Sequence, residues 1–398
     1  MKNKTIPLFK VYMSPRAASS VADVLNSGFI GEGPKVKEFE TLLSSNFKTD
    51  SNTITLVNSA TSAEHLLYHY LKKDRILIKE EFPGIAYSSI DWKGLSSTDE
   101  VLTTSLTCTA TNWPIILNGL NLKWVDVDPL SLNMCLDDLE SKINENTRVV
   151  TVVHWGGNPI DLDKLQKVIS AAESKYGNSI LVIEDCAHAF GSTYKGKFVG
   201  FTGNFSTFSL QAIKHITSVD GGFISSPYKS FTQDAKLLRW YGIDRNGPRA
   251  DFRCEADVLE AGFKFHMNDV SAAVGIENLA DSNKILPINK DNANYYNSEL
   301  KNINGITTIP QVEGGESAYW LYTLHAENRD NFMKYMSENN VHVSRVHERN
   351  DKHTCVSKYR TDLPGVDSAV STMVSIPVGY WVSNEDREYI VDLIKKGW

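Results

Sequence analysis

Several things are scarce in this sequence, and each shortage removes a class of function. Cysteine is one. The five residues Cys108, Cys135, Cys186, Cys254 and Cys355 are odd in number, scattered, and form no C-x-x-C pair. That argues against a disulfide framework or a structural zinc site and fits a reducing compartment. No run of about 18 apolar residues is available to span a membrane. The opening MKNKTIPLFKVYMSPRAASS lacks the long apolar core of a secretory signal. The expectation is a soluble, cytoplasmic protein with no membrane partner. Positive charge is not in excess either. The formal net charge of -7 gives no general support to nucleic-acid binding. The histidines lack H-x-x-x-H or carboxylate–His clustering, so no metal site is expected. Internal repeats and low-complexity tracts are absent.

What is present is an ordinary globular balance, 41% hydrophobic and 22% charged, in 398 residues. At roughly 100–200 residues per domain, that length predicts two domains. Helices are predicted at Ala17–Asn26 and Lys35–Ser45, separated by the turn Gly28-Phe-Ile-Gly-Glu-Gly-Pro34. Thr53–Val57 reads as a buried strand, followed by the helix Ala63–Leu71. From Val101, strand and helix alternate. The strands are Val101–Thr104, Leu122–Val127, Arg148–Val153 and Ser179–Glu184; the helices are Thr109–Asn118, Leu136–Ile143 and Leu162–Ser174. Such alternation predicts an α/β fold with a mostly parallel sheet between helices. Two short β segments follow, Phe205–Leu210 and Gly222–Ser225. After about residue 280 the pattern changes to helix Ala293–Lys301, strand Tyr319–Ala326, helix Arg329–Glu338, strand Val341–Val346 and helix Glu385–Lys396. The prediction is a large domain over 1–280 and a smaller α+β domain over 281–398, with a ligand cleft between them.

Three segments carry chemistry. Leu181-Val-Ile-Glu-Asp185-Cys-Ala-His188 runs an apolar strand into an acid, where open α/β sheets bind ligands. A carboxylate there can hold the proton on a pyridine nitrogen; alone, Asp185 also reads as a turn cap. Ser209-Leu-Gln-Ala-Ile-Lys214-His-Ile-Thr-Ser-Val-Asp-Gly221-Gly222 places a lysine between a β segment and a Gly-Gly turn. A partly buried lysine becomes a nucleophile for aldehydes and a proton carrier, whereas a solvated one is inert. Val57-Asn-Ser59-Ala-Thr61-Ser62 joins a strand to a helix N-terminus. Backbone N–H groups and hydroxyls converge there as a phosphate requires, although a plain N-cap has the same sequence.

Taken together these segments resemble the DegT-type (StrS-like) aminotransferases, enzymes that use pyridoxal 5'-phosphate (PLP) to aminate keto sugars carried on nucleotides. Gly28 to Pro34 resembles the family's early G-[WF]-I-x-x-G-P signature, and Asn58-Ser-Ala-Thr61 its phosphate turn N-S-G-T. Glu184-Asp-Cys-Ala-His188 resembles E-D-[AC]-A-[HQ]. Ser209 to Gly222 resembles S-x-x-x-x-K-x-[IL]-[ST]-x-x-[ED]-G-G, and Gly262 to Ala273 a later shared segment. The likeness covers nearly the whole chain in order. It implies a fold-type I, aspartate aminotransferase-like architecture and a homodimer with shared active sites. It implies a Schiff base on Lys214, Asp185 on the pyridine nitrogen and His188 on the 3'-oxygen. Ser59, Ala60, Thr61 and Ser209 would hold the phosphate. Glutamate is the implied amino donor, and the cofactor alternates between PLP and pyridoxamine phosphate (PMP).

Four departures stand out. Ala60 replaces a glycine. Cys108 falls where an aromatic usually stacks on the cofactor, with Trp113 as an alternative source of stacking. Lys264 replaces an asparagine that usually reaches the partner's phosphate, and Lys72 to Asp99 is longer than usual. For substrate, Phe29, Trp155, His347 and Arg349 are the candidates, the last two in a polar stretch that also reads as a surface loop. The predicted reaction is amino transfer to a keto group, C-4 by first preference, of a nucleotide-linked deoxy sugar. One rival is a keto-sugar dehydratase, in which histidine replaces the lysine; the neighbouring His215 makes that worth checking. The other is a regulatory or binding protein that has lost the chemistry.

Overall fold

The computed structural model describes residues 4–79, 88–245, 247–248, 251 and 257–398. Cys254 and residues 80–87 of the long connection lie outside them. A seven-stranded sheet organises the chain. Its order is Ile54–Val57, Gly222–Ser225, Phe205–Ser209, Leu181–Asp185, Thr147–Val153, Glu100–Thr104, Asn121–Val125. The last five run parallel, and Gly222–Ser225 is antiparallel to both its neighbours. The expected α/β architecture is present: this is the fold-type I arrangement, with a mostly parallel sheet between helices.

The reasons are local. Val149, Val150, Val152 and Val153 are all buried, as a strand covered on both faces requires. In the helix Leu162–Tyr176, Leu162, Leu165, Val168, Ile169 and Ala172 recur at helical spacing and are buried. Asp161 caps its N-terminus by accepting from the Lys164 N–H at 2.9 Å, and Gly177 ends it in the left-handed region. Two apolar clusters sandwich the sheet, one around Phe39, Phe208 and Phe223, the other around Tyr68, Trp124 and Phe205.

A second, antiparallel sheet of Ile306–Thr308, Tyr322–Ala326 and Met373–Ile376 sits in the C-terminal part over its own apolar cluster. The parts interlock. Ile6 bridges to Val341 and joins the C-terminal cluster, while Trp320, Leu321 and Val356 pack into the cluster beneath the large sheet.

Some predicted elements are corrected. Val341–Val346 is not a regular strand: Val341 and Ser344 make isolated bridges, and Val346 has φ 67°. Tyr319 has φ 52°, so the following strand begins at Tyr322 instead. The helix predicted at Ala293 starts at Ser282 and runs through Pro287 to Glu299. The long connection folds back as a hairpin, Asp74–Lys79 against Ser88–Lys93, pinned by the buried Trp92, whose Nε1 donates to Leu71 O at 2.8 Å.

Candidate active site

The sheet topology gathers the three chemical segments at one edge. The carboxyl ends of Ile54–Val57, Leu181–Asp185 and Phe205–Ser209 open there, and the reversed Gly222–Ser225 begins there. They surround a cavity of about 570 Å³ lined by Ser59, Thr61, Asp185, His188, Ser209 and Lys214, together with Ala60, Cys108 and His347. This is where ligands of open α/β sheets are expected. Another cavity, about 290 Å³, is lined by Phe47, Lys48, Phe198 and Phe201 and contains none of the predicted site residues.

Lys214 is presented by a loop pinched at its base. Leu210 N donates to Gly221 O at 2.8 Å, and Ser218 N to Leu210 O at 2.9 Å. Its Nζ lies 3.6 Å from the centre of the Trp320 ring. Its side chain is half-buried, open toward the cavity and packed in protein elsewhere. That burial brings its pKa down to about 8, although Asp185 and Cys108 pull the other way. A lysine in this state is a usable nucleophile near neutral pH. His215 is held elsewhere: it is buried, its Nε2 pairs with Asn289 Nδ2 at 3.0 Å, and it does not line the cavity.

Asp185 Oδ1 accepts from the Ala187 N–H at 2.9 Å and Oδ2 from Thr111 Oγ1 at 2.6 Å. His188 Nδ1 accepts from the Gly156 N–H at 3.3 Å, which leaves the proton on Nε2, 3.4 Å from His347 Nε2. The His188 ring stacks on Trp320 with centroids 4.0 Å apart. Burial, and then the neighbouring Lys214, push both imidazoles toward the neutral form, His347 to about 4.

The phosphate turn is built as its sequence reads. Ser59 caps the helix Ala60–Leu71, its Oγ accepting from the Ser62 N–H at 3.0 Å. Gly222 packs flat against this turn. A Cβ there would sit 2.5 Å from Ala60 N, so only glycine permits the approach. The chemistry of the lining suits the cofactor: the helix start with Ser59, Thr61 and Ser209 beside it suits a phosphate, and the half-buried amine of Lys214 suits an aldehyde.

The sequence candidates divide sharply. Ser59, Ala60, Thr61, Cys108, Asp185, His188, Ser209, Lys214 and His347 meet in one cavity. Trp155 is buried behind it, its ring edge-on to His188 and His347 and its Nε1 donating to Thr323. Trp113 packs edge-on against His353 away from the cavity, so it does not replace the missing aromatic. Arg349 is committed to Asp351, at 2.8 and 2.7 Å, and to Asp367, and does not line the cavity. Phe29 is 76% exposed, and Lys264 is exposed on a segment docked to Asn58. Sequence reasoning missed Glu64, Thr111 and Trp320, all in the cavity wall. Glu64 had a legible signal: it falls on the same helical face as the apolar Leu67, Tyr68 and Leu71.

The sequence profile of the DegT/DnrJ/EryC1/StrS aminotransferase family matches residues 12–395. The chain belongs to that family. Among solved structures, AtS13 from Actinomadura melliaura is 40% identical with a TM-score of 0.90, covering 100% of both chains. The sugar aminotransferase CalS13 from Micromonospora echinospora is 39% identical with a TM-score of 0.89, covering 99% of this chain and 100% of that one. A curated relative from Shewanella sediminis is a UDP-4-amino-4-deoxy-L-arabinose–oxoglutarate aminotransferase. It is 30% identical over 86% of this chain and 82% of its own length. The protein is therefore a PLP-dependent sugar aminotransferase. Among the described residues, no helix is long and apolar enough to cross a membrane.

Proposed function

We propose that this DegT-family enzyme moves an amino group from glutamate to the C-4 keto group of a nucleotide-linked deoxyhexose, in the assembly of an amino sugar for a polysaccharide. One observation supports transfer over dehydration: Lys214, and not His215, faces the cavity. When bound, PLP supplies an electron sink for the carbon attached to its nitrogen.

The chain's own residues would do the rest. Lys214 Nζ would hold the cofactor through its aldehyde and, once freed by the incoming amine, would carry a proton between the substrate carbon and the cofactor. Asp185, fixed by Thr111 and Ala187, keeps the pyridine nitrogen protonated. Ser59, the Ala60 and Thr61 N–H groups and Ser209 receive the phosphate. His188 and His347, both neutral, present hydrogen-bonding nitrogens beside Lys214 without adding charge. His347 is retained as a substrate contact and Arg349 is not.

A homodimer with shared sites belongs to this reading. Among the described residues, Lys214 is the one lysine or arginine lining the cavity, yet the site must bind a cofactor phosphate and a nucleotide diphosphate. Cations from a second copy, Lys264 among them, would fill that need. The free thiols of Cys108, Cys135, Cys186 and Cys355 fit a reducing, cytoplasmic setting.

The test is direct. The PLP-loaded protein is treated with glutamate and the conversion to PMP followed by absorbance. UDP-, dTDP-, GDP- and CDP-linked 4-keto-6-deoxyhexoses are then offered and the products weighed by mass spectrometry. The expected result is an amino sugar from at least one of them and an equal amount of 2-oxoglutarate. A dehydrated sugar, or no amine from any, contradicts the proposal.

A further inference from the structure

Glu64 lies one turn into the helix Ala60–Leu71, fully buried in the wall of the Lys214 cavity. Its Oε1 accepts from Thr207 Oγ1 at 2.5 Å. Thr207 sits on the neighbouring strand, level with Asp185. Its Oε2 has no hydrogen-bond partner among the described residues. The mechanism above makes no use of this carboxyl.

Two buried carboxyls in the wall of one cavity cannot both be charged cheaply. Asp185 accepts two hydrogen bonds, and Glu64 accepts one. The ionisable groups that face Glu64 are Asp185 at the strand end, Tyr68 on its own helix and Cys186 beyond the strand. Tyr68 is tied to Thr151 at 2.6 Å. No cation is among these groups, and burial followed by the Asp185 charge pushes the Glu64 carboxyl well above the usual range. Among the described glutamates it is the one so affected; Glu40 and Glu184, equally buried, are held below that range by their partners.

We propose that Glu64 is a positioning residue: anchored by Thr207 as a neutral acid, it forms with Asp185 a pair of carboxyls carrying one negative charge. That keeps the charge on the group assigned to the pyridine nitrogen. The proposal rests on the reading of Asp185 given above. Ionising Glu64 at high pH adds a second negative charge beside the cofactor and perturbs its absorbance.

Infrared spectroscopy of the PLP-loaded protein tests this. The wild type at neutral pH is expected to show the carbonyl stretch of a protonated carboxyl that shifts on ¹³C-glutamate labelling. The band is expected to be lost in Glu64→Gln. The absorbance of bound PLP in Glu64→Gln is expected to lose an alkaline inflection that the wild type shows. A labelled wild type without the band, a band that survives in Glu64→Gln, or superimposable absorbance titrations overturns the proposal. The isotope shift needs no variant, so a Glu64→Gln protein that misfolds leaves the test intact. Asp185→Asn read by PLP absorbance addresses the underlying assignment, so the two readings fail separately.

Discussion

Glu184 and Glu64 are both buried glutamates near the same strand end, and they are treated in opposite ways. Glu184 accepts from His154 Nε2 at 3.1 Å, Thr202 Oγ1 at 2.7 Å, Asn204 Nδ2 at 2.9 Å and the Gly200 N–H at 3.1 Å. His154 Nδ1 accepts from the Ile160 N–H, which puts its proton on the nitrogen facing Glu184. Burial pushes this carboxyl up, but its donors outweigh burial and hold it below the usual range. Cys186 completes a group able to hold a metal ion. Its His and Glu ligand atoms are already bonded to each other, and we read it as structural. Glu64 keeps one oxygen unpartnered. The buried carboxyl that is saturated with donors is held as a charge, whereas the one with a single donor and a neighbouring carboxylate is pushed toward the neutral acid.

The contrast can be broken at either end. Lys214→Ala carries the largest expected effect: amino transfer falls by about 10⁴-fold or more, measured as PMP formed from PLP and glutamate, with the fold retained. Glu184→Ala acts on the saturated side. It costs about 3–5 kcal/mol in urea unfolding by leaving His154 and three other donors without their acceptor.

The burial of Lys214 predicts a pH dependence. Lys214 is neutral above about pH 8. Capture of PLP by the cofactor-free protein should rise about tenfold per pH unit up to that point and level off above it, followed by stopped-flow absorbance. A plateau reached near pH 10.5, the ordinary lysine value, would show that the cavity does not desolvate Lys214.

Arg349→Ala should lower stability by about 1–3 kcal/mol while leaving KM for the keto sugar within about twofold, because its guanidinium serves Asp351 and Asp367. Lys264→Ala should be the mildest. Stability stays within about 0.5 kcal/mol, as for an exposed side chain, and the loss is confined to weaker PLP retention.

Legibility in the sequence followed the same contrast. Asp185, Lys214, Ser59 and Gly222 were readable because each sits at a strand end or turn, where spacing alone assigns a place. Trp320 and Thr111 were not. They come from separate segments and meet the site only through tertiary packing, and Trp320 precedes a strand that Tyr319, with its positive φ, prevents from starting earlier. Val346 broke a predicted strand in the same way, and that bend accompanies the placement of Val346 and His347 in the cavity wall. Arg349 looked like an anion binder because a sequence shows an arginine's charge but not the carboxylates folded against it.

The central claim is that Lys214 is the residue to which the cofactor is attached. Borohydride reduction of the PLP-loaded protein, followed by proteolysis and mass spectrometry, tests it most directly. The account predicts one phosphopyridoxyl group, on the peptide containing Lys214. The label on another lysine, or no label at all, would contradict it.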